Sequence, residues 1–181
     1  MIEKYALIRV IQSIIRKQGE FTLRKAAKIA KVSPSAAKNI LDFLLAQGTV
    51  EKRIEGRNHL FRIKNTVLTR QIKILYSLCE INASGLVDEL IKKNLDTLNV
   101  VLYGSVAKGE DDEKSDIDVL IITRKKSRPV MTKSEKKLTR ELTLLQYTHQ
   151  EWKEKAEKDK VFYRNVILHC IPLYGENPVV D

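Results

Sequence analysis

Cysteine, histidine and tryptophan are scarce, with two, three and one copies in 181 residues. Cys79 and Cys170 offer neither metal-ligand spacing nor a disulfide framework, which implies a reduced, cytoplasmic setting. His149 and His169 lie twenty residues apart and make no metal pattern with the cysteines. Serine-hydrolase chemistry lacks its His-Asp partners near Ser105. Aromatic residues make up only 6% of the chain, too few for a stacking platform along a single strand of nucleic acid. No apolar run approaches the ~18 residues that a membrane helix needs, so no membrane role is expected. The opening Met1-Ile2-Glu3-Lys4-Tyr5 lacks the regions of a signal peptide, which again suggests the cytoplasm.

Charge is abundant and unevenly placed. Residues 1–80 carry 16 Lys and Arg against 6 Asp and Glu, whereas residues 81–181 carry 17 against 17. The whole net charge of +10 therefore belongs to the N-terminal part. Such asymmetry suits a polyanion as the partner of that part and a different task for the rest. A solvated basic surface has the same composition, so charge by itself does not separate the two.

Between Lys4 and Lys17, apolar residues recur at helical spacing, and Gly19 follows as a stop. Thr22 is placed to cap a second helix over Leu23–Ala30. Ser33 and Pro34 then open a third, which runs from about Ser35 to Gln47 and buries Ala36, Ile40, Leu41, Leu44 and Leu45. Two alternating runs, Thr49–Ile54 and His59–Lys64, flank a basic tip containing Gly56 and predict a β-hairpin. Three helices and a hairpin in this order resemble the winged helix-turn-helix family over residues 1–64. The resemblance implies a DNA-binding domain whose recognition helix presents Ser35, Lys38 and Asn39. Arg53, Arg57 and Asn58 would lie along or beside the wing, with lysines and arginines on phosphates and Asn39 reading a base edge. Apolar spacing over Thr66–Ile81 predicts a linker helix, assigned to residues 65–82, that packs the two halves or pairs with a second chain.

The second part is organised by two strand-length aliphatic runs. Val100-Val101-Leu102-Tyr103 ends in Gly104-Ser105; ten residues later Asp116-Ile117-Asp118 opens Val119-Leu120-Ile121-Ile122. The polar segment Gly104–Ser115 between them is expected to be a loop. Strand side chains alternate, so Asp116 and Asp118 share a face. Aspartate is depleted in strands, and two on one face call for a reason. Paired carboxylates suit a hard cation such as Mg²⁺ that also holds substrate phosphates. Downstream, Arg124–Pro129 reads as a basic loop, Lys133–Arg140 as a helix and Glu141–Tyr147 as a strand. Helices are expected over 149–158 and 162–168, with a last strand at Cys170–Gly175.

Tyr103-Gly104-Ser105-Val106-Ala107-Lys108-Gly109 and Ser115-Asp116-Ile117-Asp118 resemble the signature of the DNA polymerase β-like nucleotidyltransferases, above all their minimal prokaryotic and archaeal members. The fold class implied is α+β: a winged helix domain followed by a small mixed sheet with flanking helices over 83–181. The resemblance implies transfer of a nucleoside monophosphate from ATP or another NTP to an acceptor hydroxyl, with Mg²⁺ or Mn²⁺ as cofactor. Asp116 and Asp118 would hold metal, and Gly104, Ser105 and Lys108 would meet the triphosphate. The family's third carboxylate has Thr143 at the matching position; Glu141, two residues earlier on the same face, is the candidate substitute. A DNA-binding regulator whose degenerate domain binds nucleotide or a partner without turnover is the alternative. The partners implied are an NTP, DNA, a helical protein of the toxin–antitoxin kind, and a second copy in a homodimer.

Overall fold

Helix caps and tight turns set the elements of the N-terminal part. The computed structural model describes residues 5–56, 58–126 and 132–180. It divides into two compact units, Met1–Lys73 and Ile74–Asp181.

In the first unit, α1 (Ala6–Ile14) buries Val10, Ile11 and Ile14. Thr22 Oγ1 accepts from the Lys25 amide at 3.2 Å and starts α2 (Leu23–Ala30). Ser33 Oγ accepts from the Ala36 amide at 3.1 Å, and Pro34 opens α3 (Pro34–Ala46). Both caps satisfy first-turn amides that a helix cannot satisfy internally. The apolar face of α3 is rotated slightly from the expected one: Ala37, Leu41 and Leu44 are buried, whereas Ala36, Ile40 and Leu45 are half-buried. The hairpin forms from β2 (Val50–Glu55) and β3 (Asn58–Ile63). A two-residue strand not expected from the sequence, β1 (Phe21–Thr22), pairs with β3, so the sheet runs β1-β3-β2. Its anchor is Phe21 opposite Phe61, with ring centroids 6.1 Å apart. Arg57 and the Ser127–Pro129 part of the basic loop lie outside the described residues.

The helix α4 (Val67–Ser84) continues through Asn82-Ala83-Ser84, where a break was expected, and stops at Gly85. Then come α5 (Leu86–Lys93), β4 (Thr97–Tyr103), a one-turn helix α6 (Gly104–Lys108) and β5 (Ile117–Thr123). The expected loop thus begins as a helix, because Val106 and Ala107 are apolar and have a core to enter. After β5 follow β6 (Leu142–Thr148), α7 (His149–Lys158), α8 (Lys160–His169) and β7 (Ile171–Tyr174). The strand order is β6-β5-β4-β7; β5 and β6 are parallel, and the other pairs antiparallel.

Alternation along the strands sorts the core into two layers. Val100, Leu102, Ile117, Val119 and Ile121 pack with Ile81, Leu86 and Leu90 on one face. Val101, Leu120 and Ile122 pack with Trp152 and Val166 on the other. Central β5 is therefore covered on both faces, which explains its unbroken aliphatic run. Trp152 is fully buried and donates from Nε1 to the Pro178 carbonyl at 2.7 Å. A capping box between Thr148 and Glu151 starts α7.

The helix expected over Lys133–Arg140 is replaced by a short 3₁₀ turn at Ser134–Lys137. Side chains from other elements take its amides. Glu89 accepts from the Lys133 and Ser134 amides at 2.9 and 2.8 Å, and Glu80 accepts from the Thr139 amide at 2.6 Å. The Thr139 amide, held by Glu80, is not available to a helical carbonyl, whereas the Lys133 and Ser134 amides would lack one at a helix start in any case. Among the described residues, no helix is long and apolar enough to cross a membrane.

Candidate active site

The site forms where β4 ends and β5 begins. Tyr103, the last residue of β4, pairs across the antiparallel ladder with Asp118. On the other side of β5, the parallel register sets Thr143 of β6 beside Asp118. Asp118 is thus the middle residue of a three-strand row.

Gly104 has φ of +75°, a conformation that side chains rarely adopt. A Cβ built on it would collide with Asp118 Oδ2 and lie 3.0 Å from Asp118 Cγ. Glycine is needed twice here, for the turn and for the approach of backbone to carboxylate. Ser105 follows in the first turn of α6, half-buried, and Lys108 stands in its last turn. Gly109 closes the helix, and the Glu110 amide donates to the Ser105 carbonyl at 2.9 Å.

The connection to β5 is held by a tight polar turn. Asp112 Oδ1 accepts from the Lys114 amide at 2.8 Å and from Ser115 Oγ at 3.0 Å. Ser115 Oγ accepts in turn from the Asp112 amide at 2.9 Å. Hydrogen bonds from Lys114 and then Ser115 hold the Asp112 carboxyl below its ordinary range. The turn delivers Asp116, exposed, and Asp118, half-buried, on either side of the fully buried Ile117. Burial, and then the neighbouring Asp116 charge, raise the Asp118 carboxyl above its usual range. Burial, followed by the charge of Asp118 and by Tyr147, pushes the Tyr103 phenol up to about 12. At neutral pH Tyr103 thus keeps its proton as an O–H donor beside the carboxylate.

Glu141 is exposed and stands just before β6. Its main-chain carbonyl accepts from the Ile117 amide at 2.8 Å, which joins the starts of β6 and β5. The donor set fits a divalent ion held by two carboxylates that needs substrate oxygens to complete its shell. Among the described residues, no group of three or more His, Cys, Asp or Glu is gathered as a metal cluster.

In the first unit, Ser35, Lys38, Asn39 and Asn58 are all exposed. Lys38 is paired with Asp42 one turn on, at 3.3 Å. Arg53 is committed within its own unit, donating from Nε and Nη2 to Glu20 at 3.0 and 2.9 Å and lying 3.3 Å from Glu55. The i and i+2 spacing of Arg53 and Glu55 was legible, but the partnership with Glu20, 33 residues away, was not.

Sequence reasoning passed over Arg140, Asp111 and Glu80. Arg140 is buried and bridges Asp111 at 2.9 Å and Glu80 at 3.2 Å. Nothing local marks them, because the partners of Arg140 lie 29 and 60 residues away in the sequence. Burial works against ionisation of Glu80, but hydrogen bonds from Thr139 and the Arg140 charge outweigh it and lower its carboxyl below the usual range.

No curated protein matches the chain. A family model described as a nucleotidyltransferase domain matches residues 83–177, just over half of the 181 residues. That span contains both strands of the Gly-Ser and Asp-x-Asp arrangement, and the chain belongs to the nucleotidyltransferase domain family.

Proposed function

We propose that the second unit transfers a nucleoside monophosphate from ATP or another NTP to an acceptor hydroxyl, with Mg²⁺ or Mn²⁺ held by Asp116 and Asp118; the acceptor oxygen bonds the α-phosphorus and gives up its proton as pyrophosphate leaves. The observation that carries this reading is the approach of the Gly104 backbone to the Asp118 carboxylate, which no side chain could enter. A divalent ion bound there would neutralise the triphosphate and lower the pKa of the acceptor hydroxyl. Gly104 lets the Asp118 carboxylate close against the main chain, and Ser105 offers a hydroxyl and an amide to phosphate oxygens. Lys108 adds positive charge on the same side. Glu141 takes the acceptor side in place of the missing third carboxylate.

The second reading is a regulator that binds nucleotide or a partner without turnover. Thr143 beside Asp118 favours it, because a hydroxyl is a poorer ligand for a hard cation than a carboxylate. Label transfer from ATP labelled at the α-phosphate separates the two. With Mg²⁺, the intact protein in lysate is expected to place label on a defined acceptor, and chelation of the metal is expected to remove it. Nucleotide binding without any transferred label would leave the regulator.

For the first unit we propose a winged helix that binds DNA through Ser35, Lys38 and Asn39 on α3, and through Asn58 and Arg57 near the hairpin tip. The net charge of residues 1–80 supports it, as does the exposure of those side chains on α3. Arg53 would have to leave Glu20 to join them. Lys38→Ala is expected to weaken DNA binding and to shorten the log–log salt slope by about 0.9, the share of one phosphate. An unchanged slope in a salt titration would take Lys38 off the backbone. A homodimer reading two half-sites, a helical partner of the toxin–antitoxin kind and a cytoplasmic location complete the proposal.

A further inference from the structure

The buried ion cluster around Arg140 lies at the root of the site without touching its expected ligands. The Arg140 side chain is 6% exposed and that of Asp111 is fully buried. Nη1 donates to Asp111 at 2.9 Å; Nη2 donates to Glu80 at 3.2 Å and to Ser77 Oγ at 3.2 Å. One guanidinium thus joins α4 to the connection between α6 and β5.

Two routes lead from it to the aspartates. Asp111 directly precedes the turn closed by Asp112 and Ser115, whose bonds of 2.8–3.0 Å make it a stiff piece ending at Asp116. On the other side, Arg140 precedes Glu141, whose carbonyl receives the Ile117 amide between the two aspartates at 2.8 Å. The side chain of Arg140 and the main chain of its neighbour Glu141 therefore hold both approaches to Asp116 and Asp118. A buried guanidinium between carboxylates tolerates little displacement, because each lost contact leaves charge without solvent.

We propose that Arg140 is a positioning residue for the paired aspartates, acting through Asp111. The proposal rests on the nucleotidyl-transfer reading above and adds the device that keeps the aspartates in register. Arginine is required because two carboxylates and a hydroxyl are reached from different edges of one planar group.

The test compares Asp111→Asn with Leu90→Ala, a core variant that lowers the melting temperature without touching the cluster. Binding of Mn²⁺ with α,β-methylene-ATP is measured well below both melting temperatures, together with hydrogen exchange of the Lys114 and Ile117 amides. Asp111→Asn is expected to bind about tenfold more weakly, in line with the loss when supporting partners of metal ligands are removed. Its Lys114 and Ile117 amides should exchange faster, while Leu90→Ala binds as the unmodified protein does. Should Asp111→Asn fail to fold, Arg140→Lys carries the same expectation, since an ammonium cannot bridge all three groups. Equal loss of binding in the two variants, or none in Asp111→Asn, overturns the positioning role. Unmodified protein that binds no Mn²⁺–analogue, or binding kept after Asp116→Ala with Asp118→Ala, would instead remove the nucleotide site itself and the proposal with it.

Discussion

Replacing Asp116 and Asp118 together by alanine is expected to abolish binding of Mg²⁺–nucleotide while the protein stays folded and its melting temperature holds or rises. The two carboxylates are like charges side by side, and burial adds to their mutual repulsion at Asp118. Without a cation, such a pair works against the fold, so its removal relieves strain that only ligand binding would repay. A lost structural contact would do the opposite and lower the melting temperature along with binding. Calorimetric titration and thermal melting of the same sample read both signs. DNA affinity should be unchanged in this variant. Nucleotide binding that persists would remove the metal site from these residues.

Gly104→Ala is expected to be nearly as severe although it alters no charge. The new side chain must adopt φ of +75°, which costs about 1–3 kcal/mol for a non-glycine residue. It must also displace Asp118 Oδ2, with Asp118 Cβ only 3.3 Å from the new methyl. Asp118 stands between Tyr103 and Thr143 in adjoining strands, so the carboxylate rather than the sheet gives way. Misplacing a catalytic group by about 1 Å can cost on the order of 10²-fold in rate. We therefore expect transfer to fall by about that factor, with a melting temperature only modestly lower. Gly85→Ala, at φ of +74° with open space where its methyl would stand, carries the strain without the collision and serves as the comparison. If Gly104→Ala and Gly85→Ala lose transfer equally, the close approach is not what the site depends on.

Much of the architecture was legible because its causes are local. The caps at Thr22, Ser33 and Thr148 start α2, α3 and α7 where side-chain oxygens meet first-turn amides. What escaped was set by partners distant in sequence. β1 exists because Phe21 meets Phe61, and the helix expected over 133–140 does not continue where Glu80 claims the Thr139 amide. At the site, spacing singles out Gly104, Asp116 and Asp118, and strand alternation pairs the aspartates. Neither could show that Gly104 faces Asp118 atom to atom. Nor could they show that Arg140 reaches across to Asp111, 29 residues away. A guanidinium at a strand entrance looks like any solvated arginine until its carboxylates are seen.

The order β6-β5-β4-β7 also divides the site into a fixed part and an adjustable part. Asp118 belongs to a central strand whose neighbours Ile117 and Val119 are fully buried, so evolution cannot rework that strand without rebuilding both layers of the core. Thr143 belongs to the edge strand, where no residue is fully buried and side chains can be exchanged at little cost to folding. On the proposed reading, turnover would hinge on one exchangeable position of β6, and changing it would leave Asp118 and its buried strand in place.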